Sequence, residues 1–192
     1  MNAPHFDSDN PISTPTEAPR RRLLLGATAT GAALLGAGVA WWRSQAPDAL
    51  PAVEPVQGFW AMQWDTPQGG KLSMQTLQGR PLLLNFWATW CAPCVDELPL
   101  INNFYRQNKI NGWQVLGLAV DKLAPVQGFI KKMPLDFPVG MAGLAGAELG
   151  RGLGNIAGGL PFTVVFGVDG SVLYRKMGRL HAQDLAKVLS LK

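Results

Sequence analysis

Cysteine is nearly absent from this 192-residue chain: only Cys91 and Cys94 occur. A secreted scaffold held by several disulfides is therefore excluded. Histidine is equally scarce, with His5 and His181 alone. A structural zinc site normally takes four Cys or His ligands. His5 lies far from the rest in sequence, so Cys91, Cys94 and His181 offer three at most. No histidine or methionine stands within ten residues of the cysteine pair, which disfavours a copper carrier. Charge is sparse too, at 16% of residues, and the net value of +4 is spread out. Outside Arg20-Arg21-Arg22, the only adjacent basic pairs are Lys131-Lys132 and Arg175-Lys176. Nucleic-acid readers concentrate basic residues on one face, so no nucleic-acid partner is expected. No internal repeat is present. What the chain has in quantity is apolar residues, 47%, enough to exclude wholesale disorder.

The first 55 residues divide by composition. Residues 1–22 are rich in proline and polar residues and read as a disordered cytoplasmic N-terminus. Leu23 to Trp42 is a charge-free run of twenty residues. As a helix it spans about 30 Å, the depth of a bilayer core. Three arginines precede it and Trp41, Trp42 and Arg43 follow. That asymmetry places Ser44 onward across the membrane. Two readings compete, an uncleaved signal-anchor and a cleaved or twin-arginine signal peptide; the full span and the tryptophans favour the anchor. Residues 43–55 carry Pro47, Pro51 and Pro55 and read as a semi-rigid linker.

The remaining segment, 56–192, alternates strand and helix signals. Phe59–Trp64 and Lys71–Met74 flank turn residues and predict a hairpin. Leu82–Trp87 and Trp113–Asp121 predict buried strands. Between them a helix starts near Cys91, with Pro93 in its first turn. Its buried stripe is predicted as Val95, Leu98, Ile101 and Phe104, with a kink at Pro99. Strand, helix and strand make a right-handed βαβ unit. Pro125–Lys132 predicts a short helix and Phe137–Val139 an extended piece. Residues 140–159, with eight glycines and four alanines, predict a short helix near 147–153 followed by a mobile, loosely packed approach to Pro161. Phe162–Phe166 and Val172–Arg175 around Asp169-Gly170 predict a second hairpin. Leu185, Val188 and Leu189 form the apolar face of a last helix, with His181 at its start.

The two thiols fall after a buried strand and at a helix start. Unpaired N–H groups and the helix dipole stabilise a thiolate at Cys91. Cys94 lies one turn further in, placed to attack a mixed disulfide. Cys91 is thus the exposed nucleophile and Cys94 the protected resolving thiol. An inert structural bridge is the bland alternative, but so short a loop restricts little chain entropy.

Trp90-Cys91-Ala92-Pro93-Cys94 after Asn85-Phe86-Trp87-Ala88 resembles a thioredoxin-fold active site. Cys91-x-x-Cys94-x-x-Glu97-x-Pro99 resembles, more narrowly, the membrane-anchored TlpA/ResA-like thiol:disulfide oxidoreductases. The likeness covers roughly 56–192. It implies an α/β thioredoxin-like fold: a central mixed sheet flanked by helices, with an N-terminal hairpin and a central insert. Gly159-Leu160-Pro161-Phe162-Thr163 matches the family segment ending in a cis-proline opposite the active cysteine, which implies that Trp90, Pro93, Leu160 and Pro161 meet the substrate. Glu97 matches the family's acidic residue near the thiols, a proton relay or pKa modulator; an ordinary solvated glutamate is the competing reading, and Asp96 is expected at the surface.

The uncharged dipeptide Ala92-Pro93 gives a thiolate no side-chain help, which favours a reducing couple. The resemblance agrees. It implies a single-pass inner-membrane protein with its catalytic domain in the periplasm. There it would reduce disulfides in partners such as apocytochromes c or copper-site proteins, and be re-reduced by a membrane thiol donor. No cofactor or metal is expected beyond the Cys91–Cys94 pair. A disulfide oxidant or thiol peroxidase, and a non-catalytic copper-delivery module, are the alternatives.

Overall fold

The computed structural model describes residues 56–191. The predicted N-terminus, membrane segment and linker, 1–55, lie outside the described residues. Among the described residues no helix is long and apolar enough to cross a membrane.

Seven strands form one mixed sheet: β1 (Gln63–Asp65), β2 (Lys71–Ser73), β3 (Leu82–Trp87), β4 (Gln114–Ala119), β5 (Val139–Met141), β6 (Phe162–Phe166) and β7 (Val172–Met177). Their spatial order is β2-β1-β5-β4-β3-β6-β7. β3, β4 and β5 are parallel, while β1/β2, β1/β5, β3/β6 and β6/β7 are antiparallel. Four helices connect or follow them: α1 (Ala92–Asn108), α2 (Leu123–Lys132), α3 (Gly143–Gly152) and α4 (Ala182–Leu189). The predicted βαβ unit is β3-α1-β4, and the central insert holds α2, β5 and α3.

β3 is buried along its whole length because both faces are covered. Side chains alternate across a strand. Leu83 and Trp87 therefore pack with Leu98 and Ile101 of α1, Val126 of α2 and Val188 of α4. Leu82, Leu84 and Phe86 face the other way, toward Phe162, Val164 and Leu149 of α3. Gly117 of β4 lies under the first layer, where a Cβ would come within 3.0 Å of Phe137 and of the Trp87 ring. A glycine there lets the two aromatics close over β4.

Four local expectations change. Phe59–Ala61 is a 3₁₀ turn rather than strand, and β1 starts only at Gln63. Phe59 stacks on Phe166 at 4.8 Å and Trp60 meets the same ring edge-on at 5.6 Å. Packing of two adjacent aromatics on one partner is incompatible with strand alternation. α1 runs on through Pro99 as one helix. The buried face of α1 holds Cys94, Glu97, Leu98, Ile101, Asn102 and Phe104, and Val95 is only half-buried. The stripe is rotated toward the two polar side chains because both find partners there: Glu97 accepts from Asn85 of β3 and from the Leu180 N–H, and Asn102 pairs with Asp136 in the loop before β5. Finally, α3 begins at Gly143, four residues earlier than predicted, and the approach to Pro161 is pinned rather than loose. Asn155 N–H donates to the Gly150 carbonyl at 2.8 Å and its Nδ2 to the Gly159 carbonyl at 2.8 Å. Buried Arg175 donates from Nε to the Leu153 carbonyl at 2.7 Å, satisfying a helix-end acceptor.

Candidate active site

Cys91 is the N-cap of α1, with Ala92 and Pro93 as the first two helical residues. Proline suits that turn, since its missing N–H has no partner there to lose. Cys91 and Cys94 are joined in a disulfide with their Cα atoms 5.2 Å apart. Cys91 keeps 7% of its surface and Cys94 none. Cys91 is the more accessible of the two, but it is buried rather than exposed as expected. Ala92 and Pro93 are exposed and carry no charge, and Trp90 stands 69% exposed beside Cys91.

The loop that delivers Cys91 is tied to the neighbouring strand. Asp121, just beyond β4, accepts from the Thr89 N–H at 2.8 Å and the Thr89 hydroxyl at 2.6 Å. It also accepts from the Lys122 N–H at 2.7 Å. Partial burial works against the charge of Asp121, but these bonds outweigh it and hold the carboxyl below its ordinary range.

Below the thiols, Glu97 is fully buried, so it is not a solvated surface glutamate. Three residues after Cys94, it occupies a neighbouring position on one helix face. Asn85 Nδ2 donates to its Oε1 at 2.7 Å and the Leu180 N–H to its Oε2 at 2.5 Å. Desolvation outweighs both bonds and the nearby Arg179 charge, and pushes the Glu97 carboxyl up to about 7. A carboxyl poised there can take or give a proton near neutral pH.

Asn85 also donates to Thr163 Oγ1 at 3.0 Å. Gly117, Asn85, Thr163 and Lys176 stand in register across β4, β3, β6 and β7, so Asn85 and Thr163 form a short buried polar row facing Glu97. Asn85 Oδ1 accepts no hydrogen bond from a described residue. Sequence reading missed Asn85 and Thr163; their signal was a lone polar residue within each of two apolar strand runs.

The Leu160–Pro161 peptide is cis, as the resemblance implied. Pro161 is buried and Leu160 half-buried. Leu160 and Trp90 line one cavity on the face of the sheet opposite Glu97, so two of the four expected substrate-binding residues are brought together. Pro93 and Pro161 are not among its walls. Asp96 is exposed, 3.3 Å from Arg179, and His181 is the N-cap of α4.

A family model described as Redoxin matches residues 45–189. The chain belongs to the Redoxin family. It is 32% identical over 123 residues to thiol-disulfide oxidoreductase ResA of Bacillus thuringiensis subsp. konkukian (strain 97-27), an overlap of 64% of this chain and 69% of the relative. Among solved structures it resembles a thiol:disulfide interchange protein of the thioredoxin family from Chlorobium tepidum TLS. That match has a TM-score of 0.61 and 25% identity, covering 74% of this chain and 95% of the other. StoA from Bacillus subtilis matches with a TM-score of 0.55 and 25% identity, covering 73% and 98%. With the paired cysteines at a helix start, these relatives make this Redoxin-family chain a ResA/TlpA-like thiol:disulfide oxidoreductase of thioredoxin-like fold. Its substrates are disulfide-bearing proteins.

Proposed function

We propose that the Cys91–Cys94 dithiol is a reductant working on the far side of the bacterial inner membrane, held there by residues 23–42. The observation that carries the direction is the helix-start pair itself: the exposed Ala92-Pro93 between the cysteines supplies no charge to stabilise a thiolate. Less thiolate stabilisation makes a less oxidising couple.

The geometry supports the following reaction. The Cys91 thiolate attacks one sulfur of a partner disulfide. The partner S–S bond breaks, a mixed disulfide forms, and the partner's leaving thiolate takes up a proton. Cys94 then loses its proton and attacks Cys91 Sγ, releasing the second partner thiolate and closing the bridge seen here. Glu97, three residues from Cys94 and poised near neutrality, is the group able to accept the Cys94 proton. The protein ends oxidised by two electrons and the partner reduced by two. The chain has no third cysteine. Electrons must therefore arrive from another protein, for which a membrane thiol donor is the reading best suited to an anchored domain, since tethering raises local concentration. Partners in cytochrome c or copper-site maturation fit this chemistry.

Equilibration of the purified protein with defined thiol buffers tests the direction. The reductant reading expects a midpoint near the roughly −270 mV of thioredoxin; one near the roughly −120 mV of strong periplasmic oxidants contradicts it. Labelling of Cys91 in intact reduced cells by a membrane-impermeant thiol reagent tests the location. Protection until the inner membrane is breached would place the domain in the cytoplasm instead.

A further inference from the structure

β3 and β4 run parallel and end side by side, and the Val120 N–H donates to the Trp87 carbonyl at 2.8 Å as their last rung. Past that rung the chain turns into the cysteine loop. There the Thr89 N–H meets a side chain in place of a strand carbonyl. Asp121 Oδ2 accepts it at 2.8 Å and accepts the Thr89 hydroxyl at 2.6 Å. Asp121 Oδ1 accepts the Lys122 N–H at 2.7 Å, which fixes the carboxylate against its own backbone. Hydrogen bonds to an ionised acceptor are roughly twice as strong as neutral ones. The three donors hold this carboxyl below its ordinary range, so it is ionised at neutral pH.

What this carboxylate fastens is the turn that carries the nucleophile. The Cys91 N–H donates to the Ala88 carbonyl at 3.2 Å, so Thr89 and Trp90 form the middle of a tight turn. Cys91 is at once the end of that turn and the N-cap of α1, where the Val95 N–H donates to its carbonyl at 3.1 Å. Trp90 stands mostly in solvent, so Thr89 supplies the turn's side-chain fastening to the end of β4. Position matters here because a helix N-terminus stabilises a thiolate only within its first turn. For reacting groups, a misplacement of about 1 Å can cost on the order of a hundredfold in rate.

Resting on the reading of Cys91 as the nucleophile, we infer that Asp121 is a positioning residue for the dithiol reaction. By clamping Thr89 it holds Cys91 Sγ over the first N–H groups of α1, where the thiolate forms. Its charge alone would do the opposite, because a carboxylate near the loop disfavours a second negative charge on sulfur. The two effects carry opposite signs, so substitution separates them. The other charged groups at this end of the sheet, Lys122, Asp96, Glu97 and Arg179, are the same in every variant used below.

The test uses the full-length Cys94→Ser protein, whose one thiol is Cys91. Iodoacetamide reacts with the thiolate, so its rate against pH reports how readily Cys91 ionises. Asp121→Ala frees Thr89 and should raise the pH at which the thiol ionises, slowing alkylation at pH 7 about tenfold. Asp121→Asn keeps an oxygen for Thr89 and should stay within about threefold of the parent. Thr89→Val removes only the hydroxyl bond and should fall between the two, while Thr89→Ser should restore the parent profile. Denaturant melts of each variant report loss of the fold separately, and Thr89→Val keeps the test decisive if Asp121→Ala does not fold. Faster alkylation in Asp121→Ala, the sign expected of charge alone, overturns the inference. So does a profile unchanged in both Asp121→Ala and Thr89→Val, or an Asp121→Asn as slow as Asp121→Ala. A folded parent that iodoacetamide leaves untouched would remove the nucleophile reading itself, a failure distinct from these.

Discussion

Asn85 and Phe86 are consecutive residues of β3, equally buried, and face two different chemistries. On the α1 side, Asn85 joins Thr163 and Glu97 in a hydrogen-bonded polar row beneath the thiols. On the other side, Phe86 packs near Phe162 at 5.7 Å and lines an uncharged cavity under Trp90. The cysteine loop crosses from one to the other: Cys91 belongs to the α1-side core while Trp90 walls the cavity. Period-two alternation in one strand thus places a buried polar row and an uncharged cavity back to back. The polar side is tolerated in the core because the Asn85 amide donates to both Glu97 and Thr163. It also holds a carboxyl whose charge is costly to bury, which is why Glu97 titrates so high.

The comparison can be broken in order of expected effect. Cys91→Ser leaves both faces intact and should reduce turnover of a model disulfide to background, whereas Cys94→Ser should accumulate mixed disulfides with partners. Residual turnover in Cys91→Ser would mean that the divided site is not the reacting one. On the apolar side, Phe86→Ala should cost about 3–5 kcal/mol of stability in denaturant melts, as expected for a fully buried ring. Asn85→Ala, one residue away, should cost less, about 1–3 kcal/mol. It should also move the Glu97 midpoint upward from about 7, since Asn85 is one of the donors that lower it.

Glu97 gives the polar side a pH signature. Its carboxyl titrates at about 7 in the folded chain against an ordinary 4.5, so the native state holds a proton that the unfolded state has released. Stability is therefore highest below about pH 4.5 as far as this group is concerned and falls as pH rises through about 7. The loss is on the order of 3 kcal/mol for a shift of this size. Glu97→Gln should flatten that part of the stability–pH curve; an unchanged slope would remove Glu97 as its source. The smallest stability effect is expected at Trp90. With most of its surface in solvent, Trp90→Ala should shift stability by under about 0.5 kcal/mol while slowing mixed-disulfide formation with a model disulfide.

Much of this arrangement was legible in the chain, because local patterns governed it. The apolar runs at 82–87 and 114–119 form the central parallel strands, and Asp169-Gly170 turns the terminal hairpin. The placement of Cys91 and Cys94 at a helix start followed from Pro93 and the preceding strand run. The cis peptide at Pro161 was legible only through family likeness, as nothing local distinguishes it from a loop proline. What was missed depends on contacts distant in sequence. The Thr89–Asp121 tie exists because β3 and β4 run parallel and end side by side. Glu97 lies three residues from Cys94 in either of its two readings, and only the partners Asn85 and Leu180 decide that it is buried. The pinning of 153–159 by Asn155 and Arg175 was hidden because a glycine-rich stretch looks loose whatever holds its carbonyls.

The central claim is that the buried carboxyl and the thiol pair share one side of the sheet and sense each other. Following the Glu97 side-chain carboxyl by NMR against pH, in the disulfide and dithiol forms, tests it most directly. A midpoint near 7 in the disulfide form, displaced upward when the thiols ionise beside it, is the predicted result. A midpoint near the ordinary 4.5, or one identical in both redox forms, would contradict the account.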